Sequence, residues 1–227
     1  TIKNRTSVAA FHGYNYLLAR ENLTDHLGVN ERKEKIRQRL LKIRAKKVVI
    51  ATGAIERPLI FSNNDRPGII LSSSIKKYID YYGVKTGENI SLFTNNDSAY
   101  ETAISLNKSG VKVKVIIDIR ENPSSILSEK IEKAGIKILR GYTITNTDGY
   151  KRIKSIDVMK LSKDGGSVVG NKVTYKCDCL GISGGWTPMV HLFTQSGGKL
   201  KFRNNDNIFI PDESKTPSQQ ISVGSSN

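Results

Sequence analysis

One stretch, Lys46–Pro58 (KKVVIATGAIERP), limits what this chain can fold into more than any other. Val48-Val49-Ile50-Ala51 is an unbroken apolar run between a lysine pair and Thr52-Gly53. Such a run suits a short parallel strand buried on both faces. Gly53 falls where the strand must turn, and a residue without a Cβ lets backbone approach a ligand closely. Pro58 then opposes continued regular structure. The pattern predicts a strand that ends beneath a ligand and leads into another domain. On residues alone, a plain core strand and turn is the favoured reading.

Downstream, the hydrophobic period switches repeatedly. Asn63–Gly68 (NNDRPG) is a dense turn signal and the expected domain crossing. Ser72–Ser74 offers N-caps for a helix carrying Ile75, Tyr78, Ile79 and Tyr82 on one face and stopped by Gly83. A strand at Ile90–Phe93 precedes Ser98-x-x-Glu101, which has the spacing of a capping box. Ala99, Ala103 and Leu106 then line a helix ended by Gly110. Val111–Ile119 is a second strand. Pro123-Ser124-Ser125 opens a helix with Leu127, Ile131 and Ala134 inward, and Ile136–Leu139 is a third strand. Strand–helix–strand–helix–strand with short links is half of a dinucleotide-binding, Rossmann-type α/β fold. An antiparallel meander follows at Thr143–Thr145, Ile153–Leu161 and Ser167–Tyr175, then a buried strand at Cys179–Ile182. Upstream, Thr6–Phe11 is β-prone, Glu31–Arg39 is a solvated charge run, and Leu41–Ala45 alternates as a half-exposed strand.

In a working dinucleotide site, the first strand runs into G-x-G-x-x-G, whose glycines admit the pyrophosphate at a helix N-terminus. Here that position reads Thr94-Asn95-Asn96-Asp97-Ser98-Ala99-Tyr100, with no glycine and with an acid where phosphate belongs. Asp118 ends the next strand, where a ribose-binding acid is expected. The reading is a dinucleotide fold whose own phosphate loop is lost or reshaped.

The remaining features exclude more than they assign. The formal charge of +15 is scattered along the chain, and no nucleic-acid motif accompanies it. No apolar run reaches the ~20 residues of a membrane-spanning helix, and no secretory signal opens the chain. The C-x-C pair Cys177 and Cys179 lacks redox spacing, and no histidine cluster completes a metal site. On a strand the two thiols would share one face, as core thiols of a cytoplasmic protein. His12, His26 and His191 have no partner placed for catalysis, so no catalytic residue is expected. Trp186 reads as packing at a domain junction, and Glu56-Arg57 as an inter-domain ion pair or surface charge. A start at Thr1 and an end at Val223-Gly224-Ser225-Ser226-Asn227 suggest a piece of a longer chain.

Four strings, ATGAIERP, NNDRPGI, TNNDSAY and SGGWTPMVHLFTQSGGKL, give the chain a family resemblance. It resembles the alpha subunits of heterotetrameric sarcosine oxidases, within the glutathione-reductase-like flavoproteins that carry two dinucleotide domains. The resemblance implies a second Rossmann-type domain, 65–187, inserted into a first, formed by 1–64 and 188–227. It implies NAD held by the first domain, with Val8 passing the adenine. Thr52, Gly53 and Ala54 would turn beneath the cofactor, and Val223, Gly224 and Ser225 would lie near its pyrophosphate. FAD and FMN would sit on or with the beta subunit, where the amine is oxidised. Tetrahydrofolate would bind elsewhere in alpha, and gamma and delta subunits would complete the assembly. Two alternatives stand beside this reading. One is a subunit of a related opine, amine or cyanide-forming glycine dehydrogenase. The other is a non-catalytic scaffold that binds a partner subunit and no nucleotide.

Overall fold

A computed structural model of the chain describes residues 1–123, 125–217 and 219–226. The chain divides into two compact units, Thr1–Ile55 with Thr187–Asn227, and Glu56–Trp186. The Asn63–Gly68 turn, expected as the crossing, therefore lies inside the second unit. The division comes earlier because residues 56 and 57 are already tied into that unit. Glu56 Oε2 accepts the Ser73 amide at 2.8 Å, and Arg57 exchanges backbone hydrogen bonds with Gly184 and Gly185.

The second unit is built on a five-stranded parallel sheet. Its strands run Ile69–Leu71, Cys179–Ser183, Asn89–Thr94, Lys112–Asp118 and Ile138–Arg140 in spatial order. Side chains alternate across a strand, and this alternation divides the core in two. Ile90, Leu92, Ile116 and Cys179 pack with Ile75, Ala103, Leu106 and Ile131 of the helices Ser72–Tyr82, Ser98–Lys108 and Ile126–Lys133. Phe93, Val115, Ile117, Leu180 and Ile182 face the other way, onto Ile144, Ile156 and Val158. Those last residues belong to the antiparallel meander Tyr142–Asp148, Ser155–Leu161 and Val168–Lys176. The unit is thus three layers: helices, parallel sheet, meander.

The two cysteines fall on opposite sides of this sheet, Cys179 among the helices and Cys177 against the meander. The expectation of a shared face fails because Cys177 precedes the strand. Asp178 between them turns the chain, its carboxylate accepting the Glu88 and Asn89 amides at 3.0 and 2.9 Å. Both cysteines are buried and free.

Helix starts depart from the local signals. The helix Ser72–Tyr82 has no side-chain cap of its own. Ser72 is spent on Thr102 of the neighbouring helix, at 3.0 Å, and Glu56 supplies the capping oxygen from outside. Glu56 is not surface charge, being 4% exposed. The capping box at Ser98 does not form either. Asn96 Oδ1 accepts the Ser98 amide at 3.0 Å, and Glu101 pairs with Lys76. Of the opening Pro123-Ser124-Ser125, Ser124 lies outside the described residues, and Ser125 caps the third helix through Leu127 N. Tyr78 and Tyr82, expected inward, are half exposed.

The first unit carries an antiparallel sheet of Thr6–His12, Tyr16–Asn22 and Gln38–Arg44, in that order. It also has a hairpin, Leu200–Arg203 with Ile208–Pro211, and a short helix His191–Gln195. The run Val48–Ile50 pairs in parallel with Gln220–Ser222. Ile50 packs with Phe11, Leu17 and Phe193. The opposite face of this two-stranded sheet is open: Val49 is 63% and Ile221 55% exposed. The strand is therefore covered on one face here, not on both. The charge run after Glu31 forms turns before the third strand. No helix among the described residues is long and apolar enough to cross a membrane.

Replacing Glu56 by Ala leaves the Ser73 amide unsatisfied and should lower stability by about 1–2 kcal/mol in urea unfolding, with Glu56→Gln recovering part of the loss. Burial pushes the Cys177 thiol up to about 12, so it stays a protonated, unreactive thiol at pH 8. A thiol reagent at that pH should label neither cysteine of the native chain and both after denaturation.

Candidate functional site

In open α/β folds, ligands gather at the carboxyl ends of parallel strands. The first unit presents one such end where Val48–Ile50 and Gln220–Ser222 stop together. The Ile50 carbonyl accepts two hydrogen bonds from the partner strand's continuation, Val223 N at 2.9 Å and Ser226 Oγ at 3.1 Å. Two glycine turns follow side by side in this arrangement, Gly53 with φ of 72° and Gly224 with φ of 66°. Both are left-handed conformations that favour glycine. A Cβ built on either would meet no atom within 4 Å, so the space above each turn is open. Thr52 secures the first turn: its hydroxyl donates to Met189 O at 2.7 Å, and Met189 N returns a bond to Gly53 O at 2.9 Å.

Of the residues singled out in the sequence, Thr52, Gly53 and Ala54 thus lie on one strand end, and Val223, Gly224 and Ser225 on the adjoining one. The hydroxyl of Thr52 is already committed to the fold, and Ser225 is exposed. Val8 lies on a different sheet. It is in the edge strand Thr6–His12, opposite Ala19, where the register shifts before Ala10. The outer edge of that strand presents backbone N–H and C=O groups. Ser226 and Met189 were given no role in the sequence reading, since a serine after a serine and a methionine after a proline carry no distinctive spacing.

The second unit holds the equivalent strand end at Thr94, Asp118 and Ser183. Its loop is filled by the protein's own side chains. Thr94 Oγ1 accepts the Asn96 amide at 3.0 Å. Asn96 Nδ2 donates to Ser183 Oγ at 3.0 Å, and Trp186 Nε1 donates to Ser98 Oγ at 3.2 Å. Trp186 is 39% exposed and anchored by this bond. Asp118 is fully buried. It accepts the Tyr100 hydroxyl at 2.6 Å and Arg120 Nε and Nη2 at 3.0 and 2.8 Å. Arg120 reaches on to Asp97 at 2.8 Å, with its guanidinium over the Tyr100 ring. Burial, then the hydrogen bond to Asp118 and its charge, hold the Tyr100 phenol well above its ordinary value. Asp118 is therefore consumed internally, and Arg120 bridges Asp118 and Asp97. Sequence reading passed over Arg120, although its place two residues after Asp118 was visible.

Comparison with known proteins fits this architecture. Residues 13–224 match the family model described as pyridine nucleotide-disulphide oxidoreductase. The chain is 37% identical over 207 residues to the sarcosine oxidase subunit alpha of Corynebacterium sp. (strain U-96), covering 91% of this chain and 21% of that subunit. It is 35% identical over 162 residues to the subunit of the same name from Rhizobium meliloti (strain 1021), covering 71% and 15%. The chain thus spans about a fifth of the length of the Corynebacterium subunits it matches. Among solved structures, T. acidophilum thioredoxin reductase aligns with a TM-score of 0.66 at 17% identity, covering 97% of this chain and 65% of that one. L-proline dehydrogenase from P. horikoshii aligns with 0.63 at 22% identity, covering 97% and 36%. These structural likenesses support the two-domain Rossmann-type α/β fold with its meander.

Removing the guanidinium in Arg120→Ala strands a buried carboxylate and should destabilise the second unit by about 3 kcal/mol in urea unfolding. Arg120→Lys should restore less than the full loss, since one ammonium cannot make the bidentate contact. By fold and by sequence, the chain belongs to the pyridine nucleotide-disulphide oxidoreductase family.

Proposed function

We propose that this chain is the NAD-holding region of a sarcosine oxidase alpha subunit. In that assembly sarcosine is demethylated oxidatively to glycine, and the one-carbon unit passes to tetrahydrofolate. The carrying observation is the pair of open left-handed glycine turns, Gly53 and Gly224, at adjoining ends of two parallel strands. Both accept a close-lying pyrophosphate without displacing protein atoms. The names of the relatives supply the amine.

In this reading the residues bind and orient; none makes or breaks a bond. Gly53, Ala54, Gly224 and Ser225 line the pyrophosphate through backbone groups. Thr52 keeps the first turn in shape through Met189, and the exposed backbone edge at Val8 meets the adenine. Bound NAD supplies a two-electron hydride carrier at its nicotinamide. The amine is oxidised on a flavin-bearing beta subunit with FAD and FMN. Tetrahydrofolate binds elsewhere in alpha, and gamma and delta subunits complete the cytoplasmic complex.

The second unit is read as a dinucleotide fold without a nucleotide, a scaffold for the first. The Arg120 network favours this, because a pyrophosphate would have to displace Asn96 and face Asp97.

Calorimetric titration of the full-length subunit should give one equivalent of NAD. Gly53→Val, which adds a branched side chain at a left-handed turn, should weaken NAD at least about tenfold, or 1.4 kcal/mol. Asn96→Gly with Asp97→Gly should leave the first equivalent unchanged. A second equivalent in the parent protein, or full affinity in Gly53→Val, contradicts the assignment.

A further inference from the structure

The three-stranded antiparallel sheet of the first unit has two unlike faces. Side chains alternate along each strand, and directly opposed residues share a face. Phe11, Leu17, Ala19 and Glu21 form the inner face and are buried. Phe11 and Leu17 pack there with Ile50 and Phe193. The outer face carries Tyr16, Leu18 and Arg20 of the middle strand, opposite Arg44, Lys42 and Leu40 of the third.

Three observations set the outer face apart. First, its charge has one sign. Arg20, Lys42 and Arg44 are all exposed. The three strands hold a single carboxylate, Glu21, and it lies on the inner face, paired with Lys3 at 2.9 Å and Arg39 at 3.6 Å. The other ion pairs of this unit join Arg5 to Asp25, Arg203 to Asp206 and Lys215 to Asp212. Among the described residues, none of the three outer cations has a carboxylate partner. Lys42 and Arg44 are neighbours on one strand face, and Arg20 lies diagonal to Lys42. Like charges at such positions repel until a counter-charge arrives. Second, the face is not purely charged. Leu40 is 61% exposed beside Arg20, and Leu18 sits beside Lys42, so an apolar strip runs among the cations. Third, Arg44 is held in place, its guanidinium 5.7 Å from the centre of the Tyr16 ring. A planar guanidinium already stacked loses less freedom when it meets a carboxylate. Arg and Tyr anchors around apolar area are the makeup of protein–protein contact centres.

We propose that this outer face docks an acidic surface of another protein chain, whose carboxylates meet Arg20, Lys42 and Arg44 around the Leu18–Leu40 strip. A second copy of this chain is disfavoured, because it would set the same cations against themselves. A nucleic acid fits less well, because bases need a free aromatic platform. The Tyr16 ring is half-buried and flanked by Arg44 and, at 5.9 Å, by the His12 ring. The net charge of +15 favours a separate acidic body over a tethered domain, since steering speeds only diffusional encounter. The inference rests on the proposed membership of a multi-subunit assembly and adds where on this chain a partner sits.

The test uses the full-length subunit, tagged and purified as its complex. A carbodiimide joins a lysine amine to a carboxylate in contact with it. In the parent complex it should link Lys42 to an Asp or Glu of another subunit, identified by peptide mass spectrometry. Combined Arg20→Glu, Lys42→Glu and Arg44→Glu should cut co-elution of that same subunit to below about a tenth of the parent's. Arg20→Lys, which keeps the charge, should retain it. All three positions are exposed, so an unchanged melting temperature shows that the variants fold; the cross-link in the parent is independent of folding in any variant. Full co-elution in the triple variant overturns the proposal. So does a Lys42 bridge found only to carboxylates of this same sequence, or a nuclease-sensitive RNA or DNA as the bound partner. A complex that holds together with Lys42 unbridged overturns this docking face alone. A parent subunit that elutes as a single chain overturns the assembly reading and the docking face with it.

Discussion

The carbonyl of Ile50 is the point on which the first unit closes. It accepts from Val223 and Ser226 at once, and so brings together two turns far apart in the chain. Neither turn could make a site alone. A glycine at positive φ only leaves room; the neighbouring strand end gives that room a second wall. The short parallel ladder Val48–Ile50 with Gln220–Ser222 fixes their heights relative to each other, because a register slip would carry Gly224 past Gly53.

The second unit shows the same strand-end geometry put to another use. A fully buried Asp118 must have partners, since an isolated charge away from water is prohibitively costly. Tyr100, Arg120 and, through Arg120, Asp97 supply them. The network stabilises the sheet end and fills the loop there with the protein's own side chains. A fold that offers a cleft need not keep it open, and function has to be argued from the residues lining it.

Sequence reading recovered the period switches of the second unit because each strand and helix there is bounded by glycine or a turn cluster and has a full hydrophobic face. Leu92 and Phe93, or Ile116 and Ile117, look alike in sequence. Only the layered structure shows that one of each pair meets helices and the other the meander. Caps were misread at Ser72 and Ser98 because Glu56, distant in sequence, accepts the Ser73 amide and Asn96, two residues back, accepts that of Ser98. Val48–Ala51 reads as doubly buried because apolar runs carry no record of how many neighbours a strand has; Val49 faces an open side. The two glycine turns were visible as glycines, and their adjacency was not.

The inserted arrangement also orders events in time. Glu56–Trp186 is continuous in sequence and holds its own core, so it can condense while later residues are still being synthesised. The ladder between Val48–Ile50 and Gln220–Ser222 bridges the whole of that stretch. Contacts between such distant segments carry a large loop-closure entropy and form slowly. Prior collapse of the intervening unit shortens the effective tether between them, so the ladder of the first unit closes after the second unit has folded.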